Sequence, residues 1–261
     1  MPVSASPTRK LAAIGAVIAL VVAVIAIGVA VGTSVEGDRG TGRTGAPEAA
    51  ASAGPEEDPA QQKVFDDLAK QTNRRQDGDP LAVGKKDAPV VLVEYADYQC
   101  SFCGRFTRET QPALIKKFVD KGTLRIEFRN FTVFGADSER AARASWAAGQ
   151  QGKFWQLHDE LYAKTRKGKA LAEDKLVELA RAGGVPDIDK FRSDMKSADA
   201  ERALKKDQAE GYQLGVQSTP SFLINGRPVA GAQPAEVFAQ GIEDAAARAA
   251  KHGPAAKGAG E

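Results

Sequence analysis

Cys100 and Cys103 are the two cysteines of this 261-residue chain, and Ser101-Phe102 is all that separates them. Residues i and i+3 share one helical turn, so their sulfurs can close a disulfide with little backbone movement. A static staple gains little from so short a loop, about 2 kcal/mol, and stability is better served by cysteines far apart. A structural zinc site needs about four ligands. The two histidines here, His158 and His252, stand in a helix-like stretch and in the tail. Reversible thiol–disulfide chemistry is the reading that uses the spacing. Cys100 then lies at a helix start, where unpaired N–H groups and the macrodipole favour negative charge. It reads as the attacking and leaving sulfur, with Cys103, one turn further in, as the resolving thiol.

The elements that must position this pair follow from periodicity. Val90-Val-Leu-Val-Glu-Tyr95 is an apolar run after Asp87-Ala-Pro89 and predicts a central strand buried on both faces. A helix is expected from the cysteines through Phe106 to about Asp120, with a kink at Gln111-Pro112. Thr123-Leu-Arg-Ile-Glu-Phe128 alternates as a second strand would. Residues 138–215 are helical in pattern, broken at Gly152, Lys167-Gly168, Gly183-Gly184-Val-Pro186 and near Ser197. Ser221-Phe-Leu-Ile224, the Asn225-Gly226 turn signal and Arg227-Pro-Val-Ala230 read as a hairpin, and a helix follows from Pro234 to about Ala250. Phe106, Trp146, Phe154, Trp155 and Tyr162 fall at helical spacings and read as core, with His158 structural among them. Asp97 reads as a turn or helix-entry residue near the surface.

The opening residues bear on the compartment. Residues 11–32 are 22 uncharged, mostly apolar residues, about 33 Å as a helix and long enough to cross a bilayer. Arg9 and Lys10 precede the run, and Glu36 and Asp38 are the first charges after it. The positive-inside bias leaves residues 1–10 as a cytoplasmic tail and exports the rest. A cleaved signal peptide is the alternative, with Ala30-Val31-Gly32 as the cleavage site, although such apolar regions run to about 7–15 residues. Residues 33–78 read as a flexible linker carrying a short amphipathic helix around Val64, Phe65 and Leu68 that Asp77-Gly-Asp-Pro80 ends. Residues 79–250 are one domain with a real core, and 251–261 a disordered tail. The formal net charge is +2 with both signs interleaved, so nothing points to nucleic acid.

Strand, CxxC at a helix start, strand, helices, hairpin, helix is the order of a DsbA-like protein. The chain resembles that family of the thioredoxin superfamily over about Leu81 to Ala250, on Glu94-Tyr-Ala-Asp-Tyr-Gln-Cys-Ser-Phe-Cys103 and Ser218-Thr-Pro-Ser-Phe-Leu-Ile-Asn-Gly226. The resemblance implies an α/β thioredoxin fold with a helical insertion at about 138–215, here preceded by a single N-terminal transmembrane helix. It implies that Thr219-Pro220 is a cis bond in a loop against the cysteines, where the Thr219 backbone can pair with an extended substrate segment. It also places Glu94 as a buried acid beneath the disulfide, its pKa raised by desolvation, exchanging a proton with Cys103. A strand-end carboxylate reaching solvent is the other reading of Glu94. Tyr98 and Phe102 would offer apolar contact to clients. Where many relatives carry Pro, and some His, between the cysteines, this chain has Ser101 and Phe102, which predicts a less depressed Cys100 pKa than in the most oxidising relatives.

The expected activity is a membrane-anchored, extracytoplasmic thiol–disulfide oxidoreductase that oxidises client thiols. It would use no cofactor and no metal. Its partners would be exported proteins with free thiols, a membrane partner that reoxidises the pair, and the bilayer through residues 11–32. A disulfide reductase or isomerase, or a non-catalytic binding domain of the same fold, are the alternatives.

Overall fold

The computed structural model describes residues 58–252. The apolar span 11–32, most of the linker and the tail after His252 lie outside them. No helix among the described residues is long and apolar enough to cross a membrane. Among the described residues, 65–252 form one compact unit.

A five-stranded mixed sheet organises it, in the order β1-β3-β2-β4-β5. The strands are β1 (Ala82–Val83), β2 (Val90–Ala96), β3 (Leu124–Asn130), β4 (Ser221–Ile224) and β5 (Arg227–Ala230). β2 runs parallel to β3 and antiparallel to β4, and β1 and β5 add antiparallel edges. Every residue of β2 is buried, as a central strand covered on both faces requires. The two-residue β1 carried no pattern long enough to be read. At the β4–β5 turn Asn225 and Gly226 both have positive φ, and a Cβ on Gly226 would collide with the Phe65 carbonyl. The Asn225 side chain extends the sheet, accepting from Val91 N–H at 2.8 Å and donating to the Pro89 carbonyl at 3.0 Å.

The helices are α1 (Pro59–Thr72), then α2 from the cysteine pair, then the block α3 (Ala136–Gly149), α4 (Phe154–Tyr162), α5 (Glu173–Ala182), α6 (Ile188–Met195) and α7 (Ala198–Gln213), and last α8 (Ala235–His252). The breaks in the block fall at the glycines, and Ser197 caps α7 by accepting from Ala200 N–H at 3.1 Å. Phe106, Phe154 and Tyr162 are buried, and Trp146 and Trp155 are partly buried against the core.

α2 differs from expectation. It is α-helical over Ser101–Arg105, widens to π geometry over Phe106–Thr110, returns to α over Gln111–Leu114 and widens again over Ile115–Val119. The helix runs on through Pro112, and at the expected kink the irregularity takes the form of a change from π to α geometry. Gln111 N–H bonds the Phe106 carbonyl, five residues back, so Pro112 falls at the start of a fresh α turn that asks no N–H of it.

The alternation of β3 does not mark a solvated face either. Arg125, Glu127 and Arg129 are all buried. Glu127 Oε1 accepts from Arg125 Nε at 2.8 Å and Arg75 N–H at 2.8 Å, while Oε2 accepts from Arg129 Nη2 at 2.9 Å and Arg74 N–H at 3.0 Å. Arg129 Nε reaches Glu210 on α7 at 2.9 Å, and its Nη2 donates to the Thr72 carbonyl at 2.8 Å. These bonds explain why α1 stops at Thr72, five residues before Asp77. Glu127 takes the next N–H groups and Arg129 the last carbonyl, so the segment after α1 caps the polar side of β3. Burial would raise the Glu127 pKa, but the Arg125 bond and the Arg129 charge hold it below the usual carboxylate range.

Glu127→Ala leaves buried guanidinium groups and backbone donors without their acceptor. It should cost about 3–5 kcal/mol of stability in urea denaturation, and a loss under about 1 kcal/mol would mean the network is not structural.

Candidate functional site

β2 ends at Ala96, and the chain turns once before α2. Asp97 makes that turn. It is fully buried rather than near the surface, because its carboxylate is consumed inside the protein. Oδ1 accepts from Gln99 N–H at 2.7 Å and Ser138 Oγ at 2.6 Å, and Oδ2 from the N–H groups of Val133 at 2.7 Å and Phe134 at 3.2 Å. One side chain thus ties the segment before the cysteines to the loop after β3 and to the start of α3.

Cys100 is the N-cap of α2, with extended backbone (φ −74°, ψ 116°). Its Sγ accepts from Cys103 N–H at 3.3 Å, satisfying a donor the helix leaves unpaired. As a thiol it donates to the Thr219 carbonyl at 3.2 Å. Both cysteines are free. The Cys100 pKa is lowered to about 6, chiefly by the hydrogen bond from the Cys103 side chain. Burial opposes that, and Thr219 and the N–H groups of Cys103 and Phe102 add to it. No cation is among the causes. Cys103 is fully buried, and desolvation pushes its thiol far above the usual range, with the bond to Cys100 adding to the rise.

Glu94 is fully buried on β2, and neither carboxylate oxygen has a hydrogen-bond partner among the described residues. Desolvation first, and the charge of Cys100 second, raise its pKa to about 8, so it is protonated at neutral pH. It does not reach solvent. The Thr219-Pro220 bond is cis, and the Thr219 carbonyl lies against Cys100.

Phe102 is 60% exposed beside Cys100. Tyr98 is not at the surface. It is 2% exposed, stacked 4.8 Å from the Tyr162 ring and 5.8 Å from that of Phe128, its hydroxyl 3.3 Å from His158 Nδ1. The expectation that Tyr98 meets clients is corrected, since the turn after β2 points this ring into the aromatic core. His158 is buried in that core, and desolvation lowers its pKa to about 3, so it is neutral. The exposed apolar residues near the site that sequence reasoning missed are Val133 and Phe134. The Phe134 carbonyl accepts from Gln99 Nε2 at 3.1 Å. Their signal was an apolar run, Phe131-Thr-Val-Phe134, in a stretch that belongs to no element.

Comparison with known proteins agrees with this geometry. A family model described as thioredoxin matches residues 76–244. The probable disulfide bond formation protein D of Bacillus cereus is 34% identical over 151 residues, 56% of this chain and 69% of that protein. Oxidised BdbD from Bacillus subtilis superposes with a TM-score of 0.61 at 26% identity, over 65% of this chain and 94% of that structure. A 149-residue stretch is also 31% identical to a Na(+)/H(+) antiporter, NhaA 3 of Salinispora tropica, but spans only 21% of it, so the likeness is confined to one part of that protein.

Two pH dependences follow, of opposite sign. The Cys100 pKa is depressed in the folded state, so its stabilisation is present above the unfolded value near 9 and is lost as pH falls through about 6. The Glu94 pKa is raised, so its favourable contribution is present below 4.5 and is lost as pH rises through about 8. Glu94→Gln removes the second effect. In urea denaturation it should leave stability at acid pH nearly unchanged and raise it by about 1–3 kcal/mol at alkaline pH; an unchanged alkaline stability would contradict a buried, unpartnered carboxyl. In thiolate ultraviolet absorbance of the reduced wild type, a single thiol should titrate near pH 6.

Proposed function

As this chain belongs to the DsbA-like thiol–disulfide oxidoreductases of the thioredoxin superfamily, we propose that it oxidises client thiols outside the cytoplasm, with Cys100 as the exchanging sulfur. The observation that carries the reading is the unequal acidity of two sulfurs on one helical turn, one lowered to about 6 and the other pushed far up. In the oxidised protein a client thiolate attacks Cys100 Sγ. The Cys100–Cys103 bond breaks, a mixed disulfide forms, and the electron pair leaves on Cys103. Protonated Glu94 supplies the proton that this buried sulfur needs, since a thiolate there is strongly disfavoured. The client's second thiol, once deprotonated, then attacks the client sulfur of the mixed disulfide and expels Cys100 as a thiolate. The client loses two electrons and two protons; the CxxC is left with Cys100 as thiolate and Cys103 as thiol, one of the two protons restores the Glu94 acid and the other goes to solvent.

What supports the oxidising direction is which form is stabilised. A lowered Cys100 pKa favours the reduced, thiolate form and so makes the disulfide a better oxidant. Phe102 supplies an exposed apolar face for unfolded clients, and the Thr219 backbone offers main-chain pairing in the oxidised protein, where Cys100 has no S–H to donate to its carbonyl. Residues 11–32 would anchor the domain to the membrane, where a separate redox partner reoxidises the dithiol.

Cys103→Ser should accumulate mixed disulfides with thiol clients, visible on non-reducing gels. Cys100→Ser should abolish both trapping and exchange, and exchange surviving in it would sink the assignment. Equilibration with glutathione should place the pair well above the thioredoxin potential of about −270 mV. A value at or below that level would make the protein a reductase.

A further inference from the structure

The loop joining α4 to α5 is unusually charged for its position. From Leu161 to Ala172 the chain carries Lys164, Arg166, Lys167 and Lys169 and no acidic residue. Lys164, Lys167 and Lys169 are exposed and form no salt bridge among the described residues. Other exposed cations also lack an ion pair, Lys116, Lys121 and Lys206 among them, but the 164–169 loop gathers four cations into six residues without an acid. Arg166 is buried and folds the loop, its Nη1 donating to the carbonyls of Leu161 at 2.9 Å and Lys164 at 3.3 Å. Lys164, Arg166 and Lys169 line a cavity of about 410 Å³ with Lys175 and Glu178. Glu160 is the nearest acid before the loop in the chain and Glu173 the nearest after it.

The loop also touches the active site. Gly168 N–H donates to Gln99 Oε1 at 3.4 Å, and Gln99 is the residue before Cys100. Arg108 on α2 donates to the Tyr162 carbonyl at 2.5 Å and adds a cation at the loop's root. None of these charges is among the causes of the lowered Cys100 pKa.

We infer that the 164–169 loop selects client thiols flanked by acidic residues, holding them beside Cys100 by charge complementarity. The inference rests on the thiol-exchange reading above and names the substrate class of that site. Unpaired cations beside a reacting group raise the encounter rate of anionic partners, and salt screens the effect over about 8–10 Å.

The test uses the full-length oxidised protein and three dithiol peptides identical except for Glu, Ser or Lys on either side of the first cysteine. At low salt the Glu peptide should be oxidised about tenfold faster than the Lys peptide, and added salt should shrink the ratio to about twofold. The triple variant Lys164→Glu, Lys167→Glu, Lys169→Glu should abolish or invert that order. It should keep its rate with the Ser peptide and its Cys100 titration, which also shows that it is folded. Equal rates for Glu and Lys peptides with wild type, or an unchanged order in the triple variant, would overturn the inference. So would a difference between the proteins seen only in vesicles containing anionic lipid, since the loop would then face a bilayer. Failure to oxidise any of the three peptides would instead remove the thiol-exchange reading, and this inference with it.

Discussion

The bond from Cys103 N–H to Cys100 Sγ, 3.3 Å long, is the contact on which the rest of the site depends. It exists because α2 begins at Cys100 and leaves its first donors without intrahelical partners. A sulfur at that point collects them, which adds to the bond from the Cys103 side chain, and its negative form is favoured with no cation among the causes. The same geometry sends the second sulfur one turn into the protein, where burial has the opposite effect. Two chemically identical side chains thus acquire different acidities from their positions on one turn. Asp97 makes the turn rigid, since its carboxylate holds the chain ahead of Cys100, the loop after β3 and the start of α3 together.

Beneath the helix start the protein keeps a carboxyl group in a dry place. Glu94 stands on the central strand, and both of its oxygens are buried without partners. An ionised carboxylate is costly there, so the group holds its proton to about pH 8. The aromatic core built by α4 seals the site from the other side, and the neutral His158 within it shows how little charge that region tolerates.

The other side of the sheet solves the burial of charge differently. Glu127, Arg125, Arg129 and Glu210 are placed so that each carboxylate meets guanidinium or backbone donors. Removing charge from water is costly in both places, but here geometry returns the interaction. The contrast explains why the Glu127 pKa falls while that of Glu94 rises, although both residues lie on neighbouring buried strands.

The cysteine spacing, the buried strand before it, the Asn225-Gly226 turn and the glycine breaks of the helical block were all legible in the sequence. Each depends on local chemistry: i to i+3 proximity, an apolar run, a residue that tolerates positive φ. The position of Glu94 in an apolar strand was legible for the same reason. Tertiary structure decided what depends on partners distant in the chain. Alternation in β3 looks the same whether its polar face meets water or, as here, residues 72–76 and α7. Tyr98 and Phe102 are both aromatic and close to Cys100, yet only the path of the turn sends one inward and leaves the other exposed. Asp97 is an ordinary turn residue until Ser138 and the loop at Val133 close on it. Periodicity records which residues leave water; which groups they meet there is fixed only when the chain is folded.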